Sequence, residues 1–461
     1  MELNRSCFKD FREWYQNNPS RKPLLIRGAR QIGKTTAVRL FAEEQGLALI
    51  ECNMEKPWRF TSSFETMNPL KIIESIEFEL DRDIDPASSL LFFDEVQAAP
   101  ELIPVLRYFY EEAPQYAIIC TGSLIEFVLA EPDFSMPVGR ITLYQMHPFS
   151  FEEYLLATGN RKALHFIQHY VFPDEIPQAM HQKLQSLVKE YLVIGGMPEA
   201  IVTFIETKSL RAVEKVKSIL IETFILDFNK YKPKANTALL RSCFESLPSM
   251  IGKKLIYSKL DAEHKSREIA PVIKQLELSR VITKVYRTAA NGIPLAAEKD
   301  NKHFKILSLD TGLLLTQLGL NPGDIEQAQD INLVNQGVLA EQFIGQQLCG
   351  LLPAYRDPEL FYWARQEATA SAEVDYVIAG SHGEIIPVEV KSGKTGSLKS
   401  LQLMVKEKKS CVAVRINADT PSLLDEKRGT AWGDIHYKLV SLPHYLVGQI
   451  HRLLKDICPP N

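Results

Sequence analysis

The first residues whose types and spacing could do chemistry form one short segment, Gly28-Ala29-Arg30-Gln31-Ile32-Gly33-Lys34-Thr35, followed by Thr36. The segment fits the pattern Gly-x4-Gly-Lys-Ser/Thr, whose backbone N–H groups surround nucleotide phosphates. The two glycines permit the backbone conformations that such a loop requires. Lys34 would contact the β- and γ-phosphates, and the Thr35 hydroxyl would bind Mg²⁺. The segment therefore predicts a triphosphate-binding loop, whereas the alternative is a glycine-rich turn before an ordinary helix.

Two acids follow about 60 residues later, at the end of the apolar run that begins at Ser89. This form is typical of a buried parallel strand that delivers carboxylates at its carboxyl end. Asp94 would hold the magnesium ion, directly or through water. Glu95 would orient and deprotonate the attacking water as a general base. The pair thus favours hydrolysis over binding alone.

A second apolar run, residues 116–123, ends in the hydroxyls of Thr121 and Ser123. We expect it to be a neighbouring strand, from which Thr121 or Ser123 contacts the γ-phosphate. The alternative for Ser123 is a helix N-cap, a position that serine favours.

A second set of residues whose types could do chemistry lies in about the last 130 residues of the chain. Residues 373–378 and 385–391 read as two strands of a hairpin around the turn at 380–383. Alternation along a strand puts Glu389 and Lys391 on one face. Asp375 returns to nearly the same level, and we allow for a bulge that brings it to the same face.

Two carboxylates beside a lysine predict a second Mg²⁺ or Mn²⁺ site. The lysine would supply a cation that polarises water or stabilises a pentavalent phosphate. Glu341, on a predicted helix at 337–344, and Gln402, on a later helix, would complete it. The alternative is a solvated strand face with alternating charge. Six lysines against one acid, Glu407, between residues 391 and 409 favour contact with the backbone of DNA or RNA, and the alternative is a soluble helix face.

Strand and helix patterns indicate the elements that position these groups. Alternation from residue 23 to about 145 predicts a parallel α/β sheet, with an outer helix at 8–18. A helical region follows; its His165 and His169 are one turn apart, but they favour a solvated face over a metal site. Three helices and a hairpin then predict a winged helix that packs rather than reads DNA. The predicted domains are residues 1–148, 149–235, 236–300 and 301–461.

Composition limits the class of protein. The chain has 461 residues, 45% hydrophobic and 24% charged, and a net charge of −4, which excludes a protein that coats nucleic acid generally but allows a local basic face. Seven scattered cysteines without a Cys-x-x-Cys pair argue against disulfides or a zinc site. No apolar stretch is long enough to cross a membrane, and the start has no secretory apolar core. We therefore expect a cytoplasmic protein.

Several motifs together resemble a known family, the prokaryotic AAA-type ATPases that carry an uncharacterised C-terminal domain. The matching segments are residues 30–36, 93–97, 121–123, 139–141, 148–154, 195–200 and 310–313. The resemblance implies ATP rather than GTP as the nucleotide and the strand order of additional-strand P-loop ATPases. It also implies helical, winged-helix and nuclease-like parts after that sheet. Arg140 stands where a lid arginine, or an arginine from another copy, would contact the γ-phosphate; the alternative is a surface arginine.

The carboxyl-terminal constellation resembles the PD-(D/E)XK nuclease core, with Val374 where proline is common. The combined prediction is a magnesium-dependent ATPase that acts as a switch or motor, alone or as a homo-oligomer. It would be coupled to a domain that binds or cleaves DNA or RNA. One alternative is a nucleotide-dependent regulatory or scaffold protein whose C-terminal domain only binds a partner. A second alternative is a small-molecule phosphotransferase, against which the water-positioning Glu95 argues.

Overall fold

The computed structural model describes residues 4–17, 20–131, 134, 136–228, 236–319, 337–367, 370–394, 396–430, 432–455 and 457. The chain forms two compact units. The first contains Met1–Pro148, the range predicted for the first domain, together with Leu278–Val281 and Pro353–Asp357. The second contains the rest of the chain. The end of the predicted helical region, 229–235, and a part of the predicted nuclease-like domain, 320–336, lie outside the described residues.

The first unit is a parallel α/β sheet, as the alternating pattern predicts. Its strands are β1 Leu24–Arg27, β2 Ala48–Asn53, β3 Ser89–Asp94, β4 Ala117–Gly122 and β5 Thr142–Gln145. Its helices are α1 Cys7–Gln16, α2 Lys34–Glu44, α3 Pro69–Leu80, α4 Leu102–Glu112 and α5 Ile125–Leu129.

The strand order is β2-β3-β4-β1-β5, and every pair is parallel. β4 therefore lies between β1 and β3, which is the additional-strand order that the family resemblance implies. Every residue of β1, β3 and β4 is buried, because helices cover both faces of a wound parallel sheet. All carboxyl ends point to one edge, where ligands bind in open α/β sheets.

The second unit begins with helices and continues into a mixed sheet. Its helices are α6 Phe151–Ala157, α7 Arg161–His169, α8 Gln178–Ile194, α9 Pro198–Thr207, α10 Leu210–Asp227, α11 Thr237–Ser246, α12 Tyr257–Leu260, α13 Ser266–Leu278, α14 Thr311–Gln317, α15 Val338–Leu351, α16 Lys399–Lys408 and α17 Ile450–Leu454. Its strands are β6 Ile282–Thr288, β7 Lys299–Ser308, β8 Leu360–Glu367, β9 Ala370–Ala379, β10 Ile385–Val390, β11 Val412–Asn417, β12 Ser422–Thr430 and β13 Gly433–Pro443.

The eight strands form one sheet in the order β12-β13-β11-β10-β9-β8-β6-β7. The predicted wing hairpin is present as β6 and β7, but it belongs to this sheet, because β6 also pairs with β8. The predicted boundary at residue 300 consequently falls inside β7. The physical reason is that a separate hairpin would leave the second edge of β6 unpaired, whereas β8 satisfies its backbone groups.

Candidate functional site

The loop between β1 and α2 is tightly wound and anchored in the core. The backbone angle φ is 143° at Gly28, 60° at Gln31 and 90° at Gly33. A β-carbon added at Gly28 would lie 2.5 Å from the carbonyl oxygen of Met146, so only glycine fits there. The Ile32 side chain is fully buried and fixes the middle of the loop.

The loop leads directly into the amino terminus of α2. Gly33 precedes this helix and has no side chain with which to cap it. The N–H groups of the first turn, at Lys34, Thr35 and Thr36, have no partner within the helix. Together with the helix dipole, these groups form a site that favours an anion such as phosphate.

Lys34 is buried within the loop. Its Nζ donates to the carbonyl oxygens of Gly28 at 3.0 Å and Ala29 at 2.8 Å. Burial lowers the pKa of Lys34 to about 8, because desolvation disfavours the ammonium, while Glu95 and Asp94 partly offset this effect. Both acids that the sequence predicts are therefore close enough to Lys34 for their charges to act on its pKa.

The Asp94 carboxylate lies between two threonine hydroxyls. Thr35 Oγ1 donates to Asp94 Oδ2 at 2.9 Å, and Thr121 Oγ1 donates to Asp94 Oδ1. Burial raises the pKa of Asp94, although both hydroxyls oppose the shift. The structure thus brings together the two predicted magnesium ligands, Thr35 and Asp94. Both offer hard oxygen atoms of the kind that Mg²⁺ prefers.

The Glu95 carboxylate is held by Ser123, directly after β4, and by Gln97, which we did not predict for this role. The φ of Glu95 is 53°, an uncommon conformation that turns the chain directly after β3. Glu95 Oε2 accepts from Gln97 Nε2 at 2.6 Å and from Ser123 Oγ at 3.2 Å. Arg30 Nε in turn donates to Ser123 Oγ at 3.1 Å. Gln97 lies only two residues beyond Glu95, which was the available sequence signal.

The hydroxyl of Thr121 in β4 therefore contacts Asp94, and the hydroxyl of Ser123, directly after β4, contacts Glu95. The alternative that Ser123 caps the next helix is wrong, because α5 begins at Ile125 after Leu124. Contact of Thr121 or Ser123 with a γ-phosphate stays a prediction.

Arg140 does not join these residues. It precedes β5 in the chain, and its Nε donates to Glu111 Oε1 at 2.6 Å. The parallel pairing of β5 with β1 puts it beyond the amino-terminal edge of the sheet, opposite the loop edge. From the start of β5 to Met146 the strand rises about 13 Å, so the side chain does not reach the loop of its own chain.

The carboxyl-terminal constellation assembles on β9 and β10. The antiparallel register of β9 with β10 ends at the pair Tyr376 and Val388, directly beside Asp375 and Glu389. On its other side β9 pairs with β8, and that register shifts between Val377 and Val374, so an irregularity lies at Asp375, where we allowed for a bulge. Asp375 Oδ2 accepts from the Val390 N–H at 2.8 Å.

Of the other residues predicted for this site, Lys391 contacts one of its carboxylates, whereas Gln402 is not joined to them by a described hydrogen bond. Lys391 Nζ lies 2.6 Å from Glu389 Oε1. Burial raises the pKa of Glu389, Asp375 adds to the shift and Lys391 opposes it. Glu341 is on α15, as predicted, and burial raises its pKa too. Gln402 is buried on α16, and the described hydrogen bonds do not join it to the three carboxylates.

Lys305 is the residue of this site that sequence reasoning missed. Its ammonium lies 2.9 Å from Glu341 Oε1, 2.6 Å from Glu373 Oε1 and 3.8 Å from Asp375 Oδ1. Burial alone would lower the pKa of Lys305, but the surrounding carboxylates raise it above its ordinary value. No local motif marks this lysine, because its partners come from other elements.

Across the residues that the structure describes, no three or more His, Cys, Asp or Glu side chains form a group that could hold a metal ion. A second metal ion is therefore not shown. In the same part of the chain, every helix is too short or too polar to span a bilayer.

The loop at residues 28–36 lies within a segment that matches a known domain family. The model of an AAA domain matches residues 20–155. Two domains of unknown function, DUF8612 and DUF4143, match residues 185–324 and 336–430. No curated protein shows significant similarity to the chain.

Three solved structures are similar at low identity. The Walker-type ATPase PABY2304 of Pyrococcus abyssi is 14% identical, with 69% of this chain and 96% of that chain covered and a TM-score of 0.43. The Holliday junction branch migration motor RuvB of Thermotoga maritima is 12% identical, with 61% and 90% covered and a TM-score of 0.29. PCH-2 of C. elegans is 15% identical, with 46% and 65% covered and a TM-score of 0.25. The domain match and the parallel sheet around Lys34 and Asp94 agree: the chain carries an AAA-type P-loop ATPase domain at its amino-terminal end.

Proposed function

We propose that the first unit binds ATP with magnesium and hydrolyses it. The observation that carries this proposal is the 2.9 Å hydrogen bond from Thr35 Oγ1, in the first turn of α2, to Asp94 Oδ2 at the end of β3. This contact brings a hydroxyl and a carboxylate together where the phosphates would lie. Magnesium held by these two groups supplies positive charge that offsets the charge of the phosphates.

Each remaining residue has a distinct task in this proposal. The backbone N–H groups from Gly28 to Thr36 bind phosphate oxygens, and Lys34 contacts the β- and γ-phosphates. Glu95 orients the attacking water and accepts its proton. Gln97 and Ser123 hold the Glu95 carboxylate in place through the two hydrogen bonds to Oε2. Because Glu95 orients water as the acceptor of the γ-phosphoryl group, the proposed reaction is hydrolysis and not transfer to a small molecule.

Two substitutions test the proposal. Lys34→Ala should lose ATP affinity in calorimetry, because it removes the β,γ-phosphate contact. Glu95→Gln should bind ATP normally but release phosphate at least about 100-fold more slowly, since general bases contribute 10² to 10⁴. Glu43→Gln, an exposed change on α2, is the matched control and should behave as the unaltered protein. Normal turnover in Glu95→Gln would assign the base to another residue.

We propose as a second function that the carboxyl-terminal site cleaves nucleic acid with one bound magnesium or manganese ion. Asp375 accepts a hydrogen bond from the N–H of Val390, directly after Glu389, and Lys391 contacts Glu389. Glu389 Oε2 is buried without a hydrogen-bond partner among the described residues. A buried carboxylate oxygen without a partner fits a cation ligand, because leaving it unpaired costs free energy. Two carboxylates with several waters suffice for Mg²⁺.

The lysine-rich segment supports a nucleic-acid partner. Lys394, Lys399, Lys406 and Lys409 are exposed, and the single acid of the segment, Glu407, pairs with Arg365 at 2.9 Å. The segment therefore keeps a net positive charge that can contact a phosphate backbone. The alternative, a domain that only binds a partner, uses the same surface without cleavage.

Labelled DNA and RNA incubated with Mg²⁺ or Mn²⁺ distinguish cleavage from partner binding. Cleavage should be lost in Asp375→Ala and Lys391→Ala and kept in Lys215→Ala, which removes an exposed lysine of α10. Cutting that is equal in all variants would come from a contaminant or another site. Binding without cutting would favour the regulatory alternative.

We also propose that copies of the chain associate in the cytoplasm. Arg140 supports this idea, because its side chain is 43% exposed and lies too far from its own loop to contact a nucleotide there. In an assembly it would contact the γ-phosphate bound by another copy.

A further inference from the structure

Lys305 is a buried cation surrounded by acids from two other elements. Its side chain on β7 is 2% exposed, and it contacts Glu341 of α15 and Glu373 of β9 within 2.9 Å. Asp375, two residues further on β9, lies at 3.8 Å. Three acids from two elements thus surround one ammonium group, which is the arrangement expected around a bound cation.

The charges of this region divide into two groups. The carboxylate cluster, as we name it, consists of Glu341, Glu373, Asp375 and Glu389. Lys391 contacts Glu389, whereas Lys305 contacts the other three acids. The Lys305 ammonium is the buried charge of this group, whereas the side chain of Glu373 is 44% exposed. A buried ammonium is unfavourable without acids around it, and like-charged carboxylates repel one another without a cation between them, so Lys305 and these three acids stabilise each other. A divalent ion at the same point would be repelled by the ammonium.

We propose that Lys305 is the resident cation of the carboxylate cluster, with its ammonium between Glu341, Glu373 and Asp375. As arranged around this ammonium, these three acids are not a group that could hold a metal ion, and a divalent ion would take that point only once the ammonium is removed. This inference rests on the proposed metal site, and it narrows that site to Asp375 and Glu389. Glu341 and Glu373 are engaged by Lys305, while Glu389 Oε2 has no hydrogen-bond partner among the described residues. The domain would accordingly use a single divalent ion, and a two-ion mechanism is excluded while Lys305 is present.

Counting bound Mn²⁺ tests the role of Lys305. Free Mn²⁺ is measured by electron paramagnetic resonance during titration of the nucleotide-free full chain. Lys305→Met should bind one more Mn²⁺ than the unaltered protein, and adding Glu341→Gln should remove that extra ion. Lys305→Arg keeps the charge and should keep the original count. An unchanged count in Lys305→Met overturns the inference.

Loss of folding in Lys305→Met would be informative as well. Circular dichroism should then show that Mn²⁺ restores the fold, because the ion replaces the missing ammonium, and that the double variant Lys305→Met/Glu373→Gln needs less Mn²⁺ to fold. A variant that stays unfolded with Mn²⁺, while the double variant folds, overturns the inference. The proposed nuclease site is tested separately, since Glu389→Gln in the presence of Lys305 should lose the one ion of the unaltered protein.

Discussion

At Lys34, burial and the charges of nearby acids act on the pKa in opposite directions. The residue is 7% exposed, and its ammonium donates to two carbonyl oxygens of its own loop. Burial lowers its pKa to about 8, from an ordinary value of 10.5. Between these two pH values the unfolded chain binds more protons than the folded one, so the Lys34 contribution to the unfolding free energy rises with pH.

Nucleotide affinity should change in the opposite direction. Phosphate oxygens bind the protonated lysine, so above pH 8 binding must also take up a proton. Affinity for a non-hydrolysable ATP analogue should fall about tenfold between pH 7.5 and 9, by linkage to this pKa. Calorimetry at the two pH values measures it. Lys34→Ala should bind weakly with no such pH dependence, and a flat profile in the unaltered protein would contradict the lowered pKa.

At the scale of elements, the end of β1 is fixed by buried charges. Arg27, the residue before the loop, contacts Glu126 of α5 at 3.2 Å and Asp357 at 2.8 Å. Arg280 contacts the same two carboxylates, each at 2.7 Å. All four residues belong to the first unit, and Arg27 and Glu126 are buried. Two arginines thus share two acids directly beside the phosphate-binding loop.

Removing one acid from this network should destabilise the first unit. Glu126→Gln leaves Arg27 and Arg280 without a full counter-charge, and breaking a buried pair costs about 3 kcal/mol. Chemical denaturation measures the change in unfolding free energy, in the transition whose midpoint rises when ATP is added. The exposed change Glu112→Gln should cost less than about 0.5 kcal/mol. Equal values for the two variants would show that the network contributes nothing.

The sequence predicted those elements whose signal is local. β1, β3 and β4 are continuous apolar runs, and Gly33 marks the start of α2, so the loop and both acids could be placed before the structure was known. The hydroxyls of Thr121 and Ser123 could be placed at the sheet edge, but not their hydrogen bonds to Asp94 and Glu95. Such contacts depend on which strands are neighbours.

Long-range pairing explains what could not be predicted. β6 pairs with β8, about 75 residues later in the chain, so the hairpin pattern at 281–300 resembled a separate winged helix. Lys305 meets Glu341 and Glu373 only because the sheet and α15 bring them together. An isolated lysine in a strand gives no sequence signal for such a role.

At the scale of the whole molecule, the position of Arg140 bears on assembly. Its guanidinium pairs with Glu111 and lies over the Tyr110 ring at 6.0 Å, beyond the sheet edge opposite the loop. If Arg140 contributes to hydrolysis, as we propose, it would act on ATP bound by a neighbouring copy. An arginine supplied in this way contributes 10³ to 10⁵ in rate where it occurs.

Mixing two inactive variants tests this arrangement. Arg140→Ala should bind ATP but hydrolyse it about 1,000-fold more slowly, because the γ-phosphate loses a positive charge in the transition state. Its copies retain Glu95, and copies of Glu95→Gln retain Arg140, so a mixture should regain phosphate release well above the sum of the separate rates. Mixing Arg140→Ala with the double variant Arg140→Ala/Glu95→Gln is the control and should give no gain.

Light scattering should also detect a larger mass with ATP than without it. A mixture without recovery, or normal turnover in Arg140→Ala alone, would return Arg140 to the role of a surface arginine paired with Glu111.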